Sequence, residues 1–246
     1  MKAVLLAGGH GNRLSPFTSY CNKHLLPIYN DQKPIIEHAI KNLLYAYTYI
    51  RDVAIVLGDK HCEDIFSYLK DGRQYSMNFS YYYQGEPKGI AQAVTCTQNF
   101  LEGEDDFLVY LADNFFSEGI NAFTKRSTIQ LQSAYLLFAK ALTPERFGCP
   151  KIVDGIITYI KEKPKKAESN LALTGCYIFN TDDYFEYYNQ LKPSKRGEYE
   201  LTDLINLMIK DKKQVFYEIY DGFWSDMGTY ESIKEVEKYL DTNTCD

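Results

Sequence analysis

Residues 1–16 read MKAVLLAGGHGNRLSP. The run from Lys2 to Ala7 is short and, past its lysine, continuously apolar, which suits a strand covered on both faces. Glycines follow at 8, 9 and 11, and Arg13 sits just beyond them. Pro16 argues against a helix running straight on. A glycine loop after a buried strand can receive an anion. Its backbone N–H groups line a concavity, and a guanidinium can grip phosphate through two parallel hydrogen bonds. The loop matches neither common phosphate loop. The Gly-Lys-Ser/Thr ending of a Walker loop is absent. A dinucleotide fingerprint wants a third glycine and an acidic residue about 20 residues on. Here Asn12, Arg13 and Leu14 follow Gly11, and the acidic residue after the second strand is the distant Asp59. A glycine turn with a stray arginine is the alternative reading of the same residues.

Working outward, strands and helices alternate. PIIEHAIKNLLYAY from Pro34 carries apolar residues at 35, 36, 39, 40, 43 and 44, a helical stripe with proline in its first turn. Val53 to Leu57 reads as the next strand, 60–70 as a helix, Asn78 to Tyr83 as the third strand, Lys88 to Phe100 as a helix and Phe107 to Leu111 as the fourth strand. That alternation predicts an open, mostly parallel α/β sheet with helices on both faces. The second half predicts strands at Ser133 to Ala139, Leu173 to Phe179 and Val215 to Ile219. It also predicts helices at Leu201 to Ile209 and 230–240, and a helix capped by Thr181, Asp182 or Asp183. Asp154-Gly155 marks a hairpin, so 140–175 is expected to form a smaller lobe. Ligands of such sheets sit at the carboxyl ends of the strands. The glycine loop, QGEPKG at 84–89 and LADN at 111–114 are therefore expected on one edge.

Composition bounds the function. The chain has 246 residues, 45% hydrophobic and 24% charged, with a net charge of -6. These values suit a globular domain and disfavour nonspecific nucleic-acid binding. No apolar run is long enough to cross a membrane, and the start lacks signal-peptide architecture. The six cysteines, at 21, 62, 96, 149, 176 and 245, form no CxxC pair, which fits reduced thiols and a cytoplasmic location. The Tyr81-Tyr82-Tyr83 run reads as strand packing rather than a stacking platform.

Candidate chemistry gathers around phosphate. Lys23, ten residues beyond Arg13, adds a second cation, and two cations with a glycine nest suit a triphosphate whose leaving group is pyrophosphate. A polyphosphate commonly travels with Mg²⁺, which takes oxygen ligands from one or two carboxylates. Asp113 ends a buried strand, where it either caps a turn or ligates. Asp226, in GFWSDMGTYES, faces the same choice, and its neighbour Thr229 is able to serve as the cap instead.

Taken in order, LAGGHGNRLSP (6–16), NKHLLPI (22–28), QGEPKGIAQAV (84–94), LADN (111–114), PERFG (144–148), IKEKP (160–164), ALTGCYIFN (172–180), LKPSKRGEYELTDL (191–204) and WSDMGTYES (224–232) resemble the sugar-1-phosphate nucleotidyltransferases. The likeness is closest to the glucose-1-phosphate thymidylyltransferase group, in a short form without its usual C-terminal extension. The resemblance implies a nucleotide-diphospho-sugar transferase fold. It implies a Rossmann-like nucleotide half at 1–115 and a sugar-phosphate half with a hairpin-rich lobe at 116–246, within one domain. It places the nucleotide on Leu6, Ala7, Gly8, Gly9, Gly11, Asn12, Arg13, Gln84, Pro87 and Gly89. The sugar phosphate falls to Gly148, Glu162, Lys163, Tyr177 and Glu198, and Mg²⁺ to Asp113 and Asp226. Arg13, Lys23 and Lys163 become the catalytic cations. Small-molecule substrates and a homo-oligomer are the implied partners, with no nucleic acid or membrane. The chain departs from the group at His10 and Asn12, at LADN in place of LGDN, at Lys88 and at Cys149-Pro150. The implied reaction joins dTTP or UTP to a sugar 1-phosphate. The alternatives are CTP or GTP with another phosphorylated sugar or alcohol, and a non-catalytic nucleotide-sugar sensor.

Overall fold

The computed structural model describes residues 1–28, 32–127 and 133–243. Cys245 lies outside the described residues. In chain order the elements are β1 (Lys2–Ala7), α1 (Ile35–Leu44), β2 (Asp52–Gly58), α2 (Cys62–Leu69), β3 (Asn78–Gly85), α3 (Ile90–Thr95), α4 (Gln98–Leu101), β4 (Asp106–Leu111), β5 (Asn114–Phe116), α5 (Asn121–Ser127), β6 (Ala134–Lys140), β7 (Gly148–Val153), β8 (Ile156–Glu162), β9 (Leu171–Asn180), α6 (Thr181–Tyr188), α7 (Leu201–Lys210), β10 (Val215–Tyr220), β11 (Trp224–Asp226) and α8 (Tyr230–Asn243).

Seven strands form one sheet in the order β10-β6-β9-β4-β1-β2-β3. All neighbours run parallel except β9, which is antiparallel to β4 and β6. Both halves of the chain thus supply strands to a single sheet. The apolar run of β1 is explained by its two burials. Ala3, Leu5 and Ala7 face Ile36, Ala39, Ile40 and Leu43 of α1. Val4 and Leu6 belong to the opposite core, with Ala91 and Val94 of α3 and Leu204 and Ile205 of α7. Covering both faces removes the alternation a half-exposed strand would show.

Two small ribbons complete the architecture. The β7–β8 hairpin turns at Asp154 and Gly155, both at positive φ (49° and 76°), as its Asp-Gly pair predicts. β5 pairs antiparallel with β11, setting Asp226 opposite Asn114. Met227 anchors that ribbon in a third core with Ile28, Ile35, Phe115 and Val236.

Several local expectations are corrected. The helix expected over 88–100 is two pieces, α3 and α4, parted where the buried Thr97 hydroxyl bonds back to the Val94 carbonyl (2.7 Å). The cap of α6 is Asn180, whose side chain accepts from the Asp183 amide (3.1 Å), rather than Thr181, Asp182 or Asp183. The tyrosine run is indeed packing at two positions: Tyr81 meets Phe66 and Tyr82 meets Phe100, both edge-on.

Candidate active site

The loop after β1 is held from three sides. Thr18 donates to the Gly11 carbonyl (2.9 Å). His10 Nε2 meets Asp59, just past β2, at 2.5 Å. Lys23 passes against Gly9 and Gly11. β1 and β2 converge here so closely that a side chain at Gly58 would set its Cβ 2.3 Å from the Gly8 carbonyl oxygen. The backbone N–H groups of Gly9, His10, Gly11 and Asn12 donate to no protein group among the described residues. They form a set of donors ready for an anion. Leu6 and Ala7 end β1, Asn12 and Arg13 open a 3₁₀ turn, and Pro87 lies between β3 and α3. Gln84, at the end of β3, donates to Gln92 (2.8 Å) and to the Gly89 carbonyl (3.3 Å).

Lys23 Nζ donates to Asp113 Oδ2 at 2.5 Å, and Asn114 Nδ2 donates to Oδ1 at 3.0 Å. Burial works against a charge on Asp113, but Lys23, His24 and the hydrogen bonds from Lys23 and Asn114 outweigh it. The carboxyl is held well below the usual carboxylate range. Next to Lys23, His24 is 1% exposed, with Nδ1 bonded to Asn22 Oδ1 at 2.8 Å. Burial, reinforced by the Lys23 charge, lowers its pKa to about 3.

Asp226 reaches the same place from β11, and the Met227 amide donates to the Asp113 carbonyl (2.7 Å). Capping of α8 falls to Thr229, whose Oγ1 accepts from the Ser232 amide (3.2 Å) while Ser232 Oγ accepts from the Thr229 amide (3.1 Å). Asp226 is therefore free of capping. Arg146 donates to its Oδ1 (3.2 Å), and an Arg13 nitrogen lies 4.0 Å from Oδ2. A side chain at Gly228 would put its Cβ 2.7 Å from that arginine. Burial and the nearby Asp113 charge raise the Asp226 pKa to about 6, against the pull of Arg146, Arg13 and Lys23.

A cavity of about 370 Å³ opens onto these groups. Arg13, Asp113 and Asp226 line one part of it; Gly148, Glu162, Lys163 and Tyr177 line another. Lys163 follows the hairpin at φ 39°, its Nζ 3.6 Å from Glu162, and Thr202 donates to Glu162 (3.1 Å). Glu198 is not among the lining residues. It pairs with Arg196 (2.5 Å), and the residue of that segment lining the cavity is the buried Glu200.

The sequence matches the Nucleotidyl transferase family over residues 2–243. The chain belongs to that family. This nucleotidyl transferase is 37% identical to the low-salt glycan biosynthesis nucleotidyltransferase Agl11 of Haloferax volcanii over 241 residues, 98% of this chain and 66% of that protein. It is 34% identical to the glucose-1-phosphate thymidylyltransferase of Neisseria meningitidis over 245 residues, 98% of this chain and 83% of that one. It thus spans about two thirds of the length of the first relative. Among solved structures it superimposes on a Bacillus anthracis chain designated a glucose-1-phosphate thymidylyltransferase and crystallised with a sucrose. There the TM-score is 0.88 at 37% identity, covering 97% of this chain and 94% of that one. A UDP-glucose pyrophosphorylase complexed with UDP-glucose gives a TM-score of 0.80 at 25% identity, covering 98% of each chain. The fold is that of the nucleotide-diphospho-sugar transferases, and the glucose-1-phosphate thymidylyltransferases among the relatives are sugar-1-phosphate nucleotidyltransferases.

Sequence reasoning assigned no role to Arg146, Asn114, Trp224 or Glu200. Arg146 lay in the quoted PERFG, but nothing in spacing ties it to a residue 80 positions away. Trp224 Nε1 donates to Asn114 Oδ1 (2.8 Å), and Asn114 in turn holds Asp113. This pairing depends on the β5–β11 ribbon, whose three-residue strands are too short for a periodicity to register.

Proposed function

We propose that this nucleotidyl transferase condenses dTTP or UTP with a sugar 1-phosphate, glucose 1-phosphate first, releasing pyrophosphate and a nucleotide-diphosphate sugar. The observation that carries the reading is the meeting of Asp113 and Asp226 at one cavity. Arg13, just beyond the glycine loop, lines it with them, together with Glu162 and Lys163 from the end of the hairpin and Tyr177 from β9. On this reading residues 1–115 hold the nucleotide and 116–246 the sugar phosphate. Gln84, Pro87 and Gly89 lie along the base, and the free amides of the β1 loop take the phosphates.

The paired carboxylates suit a hard dication. They offer only oxygens, and no cluster of three or more His, Cys, Asp or Glu ligands exists among the described residues. A metal here would complete its shell with phosphate oxygens and water, the habit of Mg²⁺. When bound, such an ion neutralises charge between the reacting phosphates. An oxygen of the sugar phosphate attacks the α-phosphorus in line, forming the new P–O bond as the bond to pyrophosphate breaks. The nucleophile needs no base, because a phosphate monoester with a second pKa of about 6 is mostly dianionic at neutral pH. His24 is buried and neutral there, and no histidine is assigned a proton-transfer role. Arg13 and Lys23 steady the departing pyrophosphate, Lys163 holds the incoming phosphate, and the rest of the barrier falls through alignment. No described helix is long and apolar enough to cross a membrane, and a cytoplasmic setting supplies both substrates.

The deciding experiment is a matrix of nucleoside triphosphates against sugar 1-phosphates, read by pyrophosphate release. Turnover concentrated at dTTP or UTP with glucose 1-phosphate supports the reading. Turnover with CTP or GTP reassigns the base, and silence across the matrix rejects the enzyme.

A further inference from the structure

Each carboxylate oxygen of the aspartate pair already faces a partner. Lys23 Nζ donates to Asp113 Oδ2, and Asn114 Nδ2 donates to Oδ1. Arg146 donates to Asp226 Oδ1, and Arg13 stands 4.0 Å from Oδ2. Three cations therefore face two carboxylates. The other charged groups lining the cavity have partners of their own, Lys163 with Glu162 at 3.6 Å and Glu200 with Arg196 at 3.2 Å. A free dication arriving here meets a surplus of positive charge, and one oxygen of Asp113 is held by an ammonium. Lys23 differs from the two arginines in where it stands. It runs against the glycine loop, and a Cβ at Gly9 would lie 3.1 Å from its Cε and 3.2 Å from its Nζ. One ammonium thus adjoins both Asp113 and the loop, whose amides donate to no protein group among the described residues. Lysine suits an exchange between the two, being a point charge on a flexible stem with donors that rotate.

We propose that Lys23 is a gate: it closes the dication position in the ligand-free protein and opens it when a triphosphate arrives. A phosphate seated on the loop amides offers the ammonium a new acceptor beside the one it holds. Lys23 then turns from Asp113 Oδ2 to the phosphate, and that oxygen is released. The polyanion also reverses the surplus of positive charge around the pair. The dication is thereby admitted with the triphosphate and not before it, and by linkage each strengthens the other equally. The exchange swaps one charge-assisted hydrogen bond for another and changes no covalent bond. This gate rests on the proposed role of Asp113 and Asp226 as the ligands of the dication.

Mn²⁺ alone is the probe, its binding followed at neutral pH, without nucleotide, by loss of the electron paramagnetic resonance signal of the free ion. Lys23→Met should bind Mn²⁺ roughly tenfold or more tightly than the wild type, the scale of removing one like charge beside an ion. Lys23→Gln keeps a neutral donor for Asp113 and so spares the fold a bare buried carboxylate; it should gain in the same direction. Lys23→Met/Asp113→Asn removes both members of the pair and should lose the gain. A gain in neither single variant overturns the gate, and so does a gain that survives in the double variant. The exchange itself is read with tripolyphosphate in the presence of a chelator, by calorimetry. Asp113→Asn releases the ammonium and should tighten tripolyphosphate severalfold, and the same substitution made on Lys23→Gln should tighten it clearly less. Equal gains in the two backgrounds reject the exchange. Wild-type Mg²⁺ dependence of turnover in Asp226→Asn would remove the reading on which the gate rests. Loss of that dependence with no Mn²⁺ gain in the Lys23 variants would remove the gate alone. A silent substrate matrix would sink the enzyme reading and leave the Mn²⁺ comparison standing.

Discussion

Asp113 and Asp226 meet at one cavity yet live under opposite electrostatics. Asp113 ends a central strand region, bonded to Lys23 and Asn114, and is ionised well below the usual range. Asp226 sits on a short ribbon, flanked by arginines at 3.2 and 4.0 Å, and is pushed up to about 6. The first carboxylate has its countercharge built in. The second is carried at a cost in the ligand-free protein, because burial and Asp113 outweigh its arginines. On the proposed reading, a site for a dication is thereby stored as one satisfied carboxylate and one strained one, and the strained one has the most to gain when positive charge arrives.

The largest effect should follow from breaking the satisfied side. Asp113→Asn leaves the Lys23 ammonium, 11% exposed, without its counter-ion. Removing one partner of such a pair costs about 3 kcal/mol or more, so a clear fall in the melting temperature is expected. Turnover should drop by roughly 10³-fold, the scale of a lost electrostatic contact at a reacting centre. A variant that melts like the wild type would show that the pair is not a structural element.

Asp226→Asn should divide function from stability. Turnover should again collapse, with weakened dependence on Mg²⁺, yet the ligand-free variant should melt higher than the wild type at neutral pH. The sign follows from linkage. The unfolded chain ionises this carboxyl near 3.8 and the folded protein near 6. Folded protein therefore holds the extra proton between those values, and stability is lost as pH rises through the window. The shift corresponds to about 3 kcal/mol. His24 runs the other way. Its folded value of about 3 lies below 6.5, so its contribution is present above pH 6.5 and disappears as pH falls toward 3. The two trends offset each other in the wild type alone. The difference between variant and wild type isolates Asp226, and it should grow from pH 4 to pH 7. A flat difference would reject the strained-carboxylate picture.

These contrasts also mark what could be read in the residues themselves. The apolar run of β1, the glycines after it and the helical stripe from Pro34 stated the sheet, because burial on both faces and a 3.6-residue period leave local traces. Asp113 and Asp226 were legible as candidates, and so was the release of Asp226 from capping by Thr229. The countercharges were not legible. Lys23 and Asp113 lie 90 positions apart, and Arg146 and Asp226 lie 80 apart. Those contacts depend on strand order, and on a ribbon of three-residue strands with no signature of its own. Glu198 and Glu200 show the finer failure. They are two residues apart in one polar segment and both pair with Arg196, and only the fold decides that Glu200 lines the cavity while Glu198 does not.

A smaller effect is expected at Arg13. Its side chain is 61% exposed and 4.0 Å from Asp226, so it contributes little to the fold. Arg13→Ala should cost roughly tenfold in kcat through lost charge stabilisation, and it should raise the pH at which Asp226 titrates by removing one of its cations. An unchanged kcat would take Arg13 out of the mechanism. An unchanged Asp226 titration would mean that Arg146 and Lys23 hold that carboxylate without Arg13.

The smallest effect should lie at the tip of the same loop. His10 is bonded to Asp59, and that hydrogen bond holds the Asp59 carboxyl below its ordinary value. Both partners are open to water, where screening leaves ion pairs little net worth. The loop keeps its other anchors, Thr18 on Gly11 and Lys23 beneath Gly9. His10→Ala should therefore leave kcat within about threefold, as for loss of an exposed ion pair, with its main trace in the KM for the triphosphate. The proposed chemistry draws its proton balance from the sugar phosphate, so the pH–rate profile should keep its acidic limb near the second phosphate pKa of about 6. Loss of that limb in His10→Ala would transfer the titration from substrate to enzyme. The loop would then have to be redrawn as a group that takes part in the reaction rather than one that only cradles phosphate.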